Sequence, residues 1–148
     1  MNDLEYMHLA IVQAQAAALR GEVPIGALVV LEDRILAAAG NRTVTDCDPT
    51  AHAEIVALRE AARKAGNHRL IGASIYVTIE PCAMCAGALV QARITRLIYG
   101  ADEPKGGAIR TCMQVLDARG LNHRIEVVSG VLSEESVQLL QSFFSARR

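Results

Sequence analysis

The chain has 148 residues, of which 51% are hydrophobic, 21% are charged and only 3% are aromatic. This length is typical of one globular domain, and the composition excludes intrinsic disorder, collagen and low-complexity scaffolds. The net charge of −1 excludes a protein that is strongly basic overall, although a nucleic-acid-binding patch can still be local. We expect a single domain over residues 1–148, with some apolar surface buried against a second copy.

The sequence contains no run of about 18 apolar residues, so we expect no transmembrane helix and no membrane partner. The first residues include Asp3 and Glu5 but no basic cluster, which argues against a signal peptide. We therefore expect a cytoplasmic protein. In a reducing cytosol, cysteines bind metals or carry redox chemistry more often than they form disulfides. The four cysteines are Cys47, Cys82, Cys85 and Cys112.

The first half of the chain predicts a helix, a β-hairpin and a second helix. Apolar residues recur with helical spacing over 3–20, and Gly21 ends that helix. Two short apolar runs, 25–31 and 35–39, flank a polar turn and predict the hairpin. A loop over 40–50 then leads into a helix that begins at residue 50 or 51 and ends near residue 64.

The second half of the chain alternates between strands and helices. Its predicted elements are a strand at 74–78, a helix at 81–91, a strand at 94–99, a loop at 101–110, a helix near 111–118, a strand at 124–128 and a last helix at 133–146, which Ser133, Glu134 and Glu135 cap. Strands separated by helices pair in parallel. The predicted fold is α/β, a three-layer α/β/α sandwich with a mixed five-stranded sheet.

Two short segments at predicted helix starts carry metal-binding side chains. They are His-Ala-Glu at 52–54 and Pro-Cys-Ala-Met-Cys at 81–85. Cys82 and Cys85 share one face of a helix in its first turn, where the helix dipole favours thiolates. Two thiolates and the imidazole of His52 give a tetrahedral zinc ion three protein ligands and leave a fourth position open, as catalytic zinc sites do. Glu54 next to such a site is a candidate general acid and base.

Other interpretations of these residues are open at the level of sequence. A closed structural zinc site could recruit Cys47 or Cys112 as a fourth ligand. A redox-active C-x-x-C pair is a further possibility, but it leaves the histidine and glutamate unexplained. Glu54 alone would be interpreted as a residue that stabilises the first turn of its helix.

The combination of H-x-E with P-C-x-x-C is a signature of zinc-dependent nucleobase deaminases. The wider sequence resembles the bacterial tRNA-specific adenosine deaminases of the cytidine/deoxycytidylate deaminase superfamily. The segments that carry this resemblance are 22–27, 41–42, 48–54, 76–87, 122–124 and 143–144.

The resemblance implies a cytidine-deaminase-like fold, a homodimer, one zinc ion per chain and no organic cofactor. It implies conversion of adenosine to inosine at the wobble position of a tRNA anticodon. The metal ligands would be His52, Cys82 and Cys85, and Glu54 would transfer protons. The expected substrate-binding residues, which would contact the base or the anticodon loop, are Asn41, Ala53, Lys105, Arg110, Phe144, Arg147 and Arg148.

The sequence departs from the family in the loop over 101–112. The family commonly has aspartate where Glu103 stands and Gly-Ser at Arg110-Thr111, which changes the loop expected to face the substrate. Each basic candidate, Arg42 included, is equally well interpreted as a solvated surface charge. Of Phe143 and Phe144, we expect one to pack on the sheet and the other to stack on RNA bases.

Two alternative functions remain at this stage. A zinc-dependent deaminase could act on a free base or nucleoside, such as guanine or cytosine. A zinc-stabilised RNA-binding module without turnover is the other alternative, but it has no use for the carboxylate of Glu54.

Overall fold

Five strands form one mixed sheet in the computed structural model, which describes residues 1–147. The strands are β1 (Gly26–Leu31), β2 (Arg34–Gly40), β3 (Ser74–Ile79), β4 (Arg96–Ala101) and β5 (Glu126–Val128). Their order across the sheet is β2-β1-β3-β4-β5; β1 is antiparallel to both neighbours, and β3, β4 and β5 are parallel. The predicted mixed sheet is confirmed.

Four α-helices cover the two faces of the sheet and give the predicted three layers. They are α1 (Asp3–Leu19), α2 (Ala53–Ala65), α3 (Ala83–Gln91) and α4 (Ser133–Ser145). Helices α2 and α3 pack on one face, and α1 and α4 pack on the other. Helix α1 lies directly against β1. The contact is so close that a Cβ atom at Gly26 would overlap the backbone of α1 at Ala10. In the described part of the chain, no helix combines the length and apolar character needed to cross a bilayer.

The topology brings the starts of two helices to one edge of the sheet. Because β1 is antiparallel to both β2 and β3, those two strands run in the same direction and end at the same edge. The chain leaves β2 for α2 through the loop 41–52, and it leaves β3 for α3 through Glu80, Pro81 and Cys82. Strand β4 ends at this edge as well, since it is parallel to β3.

The predicted helix near 111–118 is wrong, because the chain forms only a three-residue 3₁₀ turn at Val115–Asp117. The backbone amides of Cys112 and Met113 both donate to the carbonyl of Gly107, so the chain has already turned back on itself before a helix could begin. Leu116 is buried and attaches the turn to the core under α3.

The predicted cap of the last helix is also wrong. Leu132, not Ser133, occupies the N-cap position of α4, with a left-handed backbone and no side chain capping the helix. Leu132 and Val131 pack against the cluster beneath α1, so apolar burial rather than a hydroxyl group determines where the helix begins.

Helix α1 is attached to the sheet by a half-buried charged network at its first residue. The Asp3 carboxylate accepts a hydrogen bond from the Tyr76 hydroxyl at 2.6 Å and pairs with the Arg96 guanidinium at 2.9 Å. Arg96 also pairs with Glu126 of the neighbouring strand. The hydrogen bond from Arg96 keeps the pKa of Asp3 below its ordinary value despite partial burial.

Replacing Asp3 with asparagine should lower the free energy of unfolding at pH 7 by about 1 kcal/mol, since one charge-assisted pair is lost. A lowered pKa in the folded state stabilises the fold above the unfolded value of about 3.9, and this stabilisation is lost as the pH falls through the folded value. In urea unfolding, the difference between the free energies of unfolding of the wild type and the variant should therefore narrow between pH 5 and pH 3. A difference that stays constant or widens would contradict a lowered pKa for Asp3.

Candidate active site

Three metal-binding side chains meet where α2 and α3 begin. The Nδ1 atom of His52 lies 3.6 Å from the Sγ atom of Cys82 and 3.6 Å from that of Cys85. His52 is the N-cap of α2, and Cys82 is the N-cap of α3. Neither side chain caps its own helix, so both are directed to the shared site. Among residues 1–147, this is the only group of three or more potential ligands that lie within 4.8 Å of one another.

The spacing of these atoms fits a tetrahedral zinc ion. With Zn–S bonds of about 2.3 Å and Zn–N bonds of about 2.0–2.1 Å, tetrahedral angles place nitrogen and sulfur about 3.5–3.6 Å apart. The observed nitrogen–sulfur distances of 3.6 Å match this value. Cys47 and Cys112 are exposed and lie outside the group, so the structure brings together three ligands and does not favour the closed four-ligand interpretation.

The two neighbouring thiols shift each other's pKa values in opposite directions. A hydrogen bond from Cys85 lowers the pKa of Cys82 to about 5, and the same hydrogen bond, together with burial, raises the pKa of Cys85. Two adjacent thiolates repel one another, so the second ionises only when a cation lies between them. This pair is therefore suited to a divalent metal ion that prefers sulfur and nitrogen ligands.

Glu54 is the buried carboxyl group beside this set. It lies in the first turn of α2, is only 3% exposed and has its side chain against the Cys85 thiol. Burial raises its pKa, because the charged form is separated from water. Glu54 is not one of the three clustered ligands, so it stays free to exchange protons.

Asn41 lies at the end of β2, near the start of α2. Its side chain is 6% exposed, and the amide of the next residue, Arg42, donates to the carbonyl of Ala51 at 2.9 Å. The loop between Arg42 and Ala51 is held by Glu22, a fully buried carboxylate that accepts hydrogen bonds from the backbone amides of Val44 and Thr45. Burial by itself would raise the pKa of Glu22, but hydrogen bonds from the Thr45 hydroxyl and from the amides of Thr45 and Val44 lower it below its ordinary value.

A cleft of about 560 Å³ opens beside Cys82. Its other walls come from the loop after β4 and from the last helix, and its lining residues are Glu103, Pro104, Lys105, Gly106, Leu140 and Phe144. Phe143 is buried, whereas Phe144 is 48% exposed. The packing of one phenylalanine is confirmed, and its neighbour lines the cleft, where stacking on RNA bases stays a prediction.

Comparison with known proteins identifies the family. A model of the MafB19-like deaminases matches residues 1–148. The "tRNA-specific adenosine deaminase" of Agrobacterium fabrum is 48% identical over 143 residues, which cover 97% of this chain and 94% of that protein. The chain belongs to the tRNA-specific adenosine deaminase family.

Two solved structures place this deaminase among its relatives. A structure from a study of A-to-I editing by tRNA:A34 deaminases superposes with a TM-score of 0.90 at 48% identity and covers 92% of this chain and 99% of that chain. The guanine deaminase of Bacillus subtilis is more distant, with a TM-score of 0.69 at 29% identity over 99% of this chain and 94% of that chain. The predicted family and the cytidine-deaminase-like fold are confirmed.

Several expected substrate contacts of this deaminase lie elsewhere or have other partners. Arg110 forms a two-pronged ion pair with Asp102, with a shortest distance of 2.6 Å. Arg42 pairs in the same way with Asp46. The guanidinium of Arg147 stacks 3.4 Å above the Phe143 ring.

Two further candidates have restricted roles or lie outside the described chain. Ala53 is fully buried in the core, so its side chain does not reach the surface. Arg148 lies outside the described residues.

Sequence reasoning missed the buried carboxylates Glu22 and Glu80. Each accepts several backbone amides from a loop at the same sheet edge. A local signal was present at Glu80, which follows an apolar strand directly before Pro81, and a weaker one at Glu22, which lies two residues before Pro24. That pattern identifies an unusual glutamate but not the loop it binds.

Proposed function

We propose that this protein is a zinc-dependent hydrolase that converts adenosine to inosine at the wobble position of tRNA anticodons. The observation that carries the proposal is the buried, acid-weakened Glu54 beside three clustered zinc ligands that leave one coordination position open. Membership of the tRNA-specific adenosine deaminases supports the choice of base and of RNA.

The chemistry follows from the position of Glu54. A zinc ion held by His52, Cys82 and Cys85 would lower the pKa of a water molecule toward about 7 and so make water a nucleophile at neutral pH. Glu54 would take one proton from a water molecule as the water oxygen attacks C6 of adenine, and would pass that proton to the N1 ring nitrogen. It would then move the proton of the new C6 hydroxyl to the amine as the C6–N bond breaks, so that adenosine and water give inosine and ammonia. A carboxyl group with a raised pKa is suited to both directions of transfer.

The surroundings of the site are suited to a base taken out of a loop. The amide of Asn41 can donate and accept together, as the edge of a purine requires. Phe144 offers a half-exposed ring for stacking, and Lys105 offers a cation for a phosphate group at the cleft. The bases of an anticodon loop are single-stranded, so extruding one of them costs little.

Deamination of a free purine such as guanine is the second candidate function. The 29% identity with the Bacillus subtilis guanine deaminase favours it. The higher identity with the tRNA-specific relative favours RNA.

We further propose that residues 1–148 act as one domain, as a homodimer, in the cytoplasm, where tRNA is found. A groove of about 440 Å³ between α2 and α3 has apolar walls from Ile55, Leu58 and Ala88, which suits burial against a second copy.

Purified protein should contain one zinc ion per chain. Changing both Cys82 and Cys85 to alanine removes the two thiolates and should abolish zinc binding in elemental analysis. The matched control changes the exposed Cys47 and Cys112 to alanine and should retain zinc. Zinc retained by the first variant, or lost by the second, would contradict the ligand assignment.

Glu54→Gln should keep zinc and fold but lower kcat by at least about 10²–10⁴-fold, since general acid–base transfer is removed. Inosine formation is the readout. Glu60→Gln on the exposed side of α2 is the control and should leave kcat unchanged. Activity of Glu54→Gln within tenfold of the wild type would assign the proton transfers to another group.

A stem-loop whose anticodon begins with adenosine should be deaminated, whereas free adenosine, guanine and cytosine should react weakly or not at all. Removing one cation at the cleft with Lys105→Gln should raise KM for the stem-loop and reduce the salt dependence of binding by about 0.7 in the log–log slope. Arg34→Gln removes an exposed charge at the opposite sheet edge and should change neither quantity. Efficient turnover of free guanine, with the stem-loop inert, would establish the second candidate instead.

Sedimentation at micromolar protein concentration should give a mass of twice the 15.9 kDa of one chain, because a second copy would cover the apolar groove between α2 and α3. A species of 15.9 kDa under these conditions would contradict the homodimer.

A further inference from the structure

Glu80 lies between the metal-binding helix and the wall of the cleft. It follows β3 directly and precedes Pro81 and Cys82, and its side chain is only 2% exposed. It is not one of the clustered metal ligands, and the proton chemistry assigned to Glu54 does not use it. A buried carboxylate that takes no part in the reaction needs another physical reason to be there.

The loop after β4 wraps around this carboxylate. One oxygen of Glu80 accepts the amide of Glu103 at 3.0 Å. The other accepts the amides of Ile109, Arg110 and Thr111 at 3.0, 2.9 and 3.1 Å. Both ends of the loop therefore bond to one side chain, and all four donors are uncharged backbone amides.

The hydroxyl of Thr111 closes this arrangement. It lies 2.9 and 3.1 Å from the two oxygens of Glu80 and 2.9 Å from the carbonyl of Glu103. Gly107 is required by the same packing, because a Cβ atom there would overlap the Glu80 carboxyl group. The backbone of the loop at Gly107 is thus packed directly against the carboxyl group of Glu80.

The opposite side of the loop is the wall of the cleft. Residues 103–106 line it together with Cys82. The amide of Ala108 also donates to the carbonyl of Pro81 at 2.8 Å, so the loop is bonded to the segment that leads into Cys82. The position of Lys105 relative to the metal site is therefore set through Glu80.

Backbone amides and one hydroxyl group are the donors to this carboxylate. Four peptide N–H dipoles point at its two oxygens, so the main partner of the side chain is the loop backbone itself.

We propose that Glu80 is a positioning residue that holds the loop 103–111 against the metal-binding segment and thereby sets the affinity for the RNA substrate. This role rests on the proposed function, because the loop is assigned to substrate binding there. Without the carboxylate the four amides lose their shared acceptor, and the loop populates other conformations. If the competent conformation falls to one tenth, KM rises about tenfold while the bound complex still reacts normally.

The test compares Glu80→Gln with the wild type. Glutamine keeps the size of the side chain, but its NH₂ group cannot accept the amides that the second oxygen accepts. For an anticodon stem-loop we expect KM to rise about tenfold or more, kcat to stay within threefold and zinc content to remain at one per chain. Hydrogen exchange at residues 103 and 109–111 should become faster.

Three further variants separate positioning from general stability. Thr111→Val removes the bridging hydroxyl and should raise KM in the same direction, whereas Thr111→Ser keeps the hydroxyl and should behave like the wild type. Tyr76→Phe removes a hydrogen bond to Asp3 on the α1 face of the sheet, so it lowers stability without touching the loop. It should leave KM and exchange in the loop unchanged.

Loss of zinc in Glu80→Gln, or a lower kcat at unchanged KM, would overturn the proposal, as would wild-type KM and wild-type exchange in the loop. Failure of the proposed function has a different signature, namely a wild-type protein that does not deaminate the stem-loop. In that case the exchange measurement still decides whether Glu80 holds the loop.

Discussion

The site depends on two helix starts that meet at one edge of the sheet. His52 and Cys82 are N-cap residues whose side chains leave their own helices uncapped and face each other across 3.6 Å. Without a bound metal ion, such an arrangement raises the free energy of the folded state, because it clusters two thiols and an imidazole in a partly buried space. A bound metal ion would offset the cost, since metal binding contributes directly to the free energy of the folded state.

Three buried glutamates near this edge have different roles because their surroundings differ. Glu22 and Glu80 accept several hydrogen bonds from loop hydroxyls and backbone amides, so their pKa values stay low and they act as fixed anions that hold loops. Glu54 has fewer donors, and burial raises its pKa. The same side chain is therefore suited either to structural hydrogen bonding or to proton transfer, according to the hydrogen bonds around it.

Much of the fold could be predicted from local sequence. The helical spacing in α1, the apolar runs of the hairpin and the alternation of strands with helices are all properties of neighbouring residues. The cluster of candidate metal ligands could also be predicted, because the Cys82 and Cys85 spacing fixes a shared face and His52 stands at a helix start. These patterns do not depend on the rest of the chain.

The loops could not be predicted in the same way, because long-range contacts determine them. The expected helix near 111–118 is replaced by a turn in which Cys112 and Met113 bond to Gly107. Arg110 was expected to be available to RNA, but it pairs with Asp102, a partner that no periodicity reveals. The acceptor role of Glu80 likewise joins residues that are 23 to 31 positions apart.

We propose an open metal site with three protein ligands. X-ray absorption at the zinc edge of the purified protein tests this site most directly, because it counts the sulfur and the lighter neighbours of the metal. We expect two sulfur neighbours at about 2.3 Å and two nitrogen or oxygen neighbours at about 2.0 Å. Three or four sulfur neighbours would mean that Cys47, Cys112 or both close the site, and would contradict a catalytic role for it.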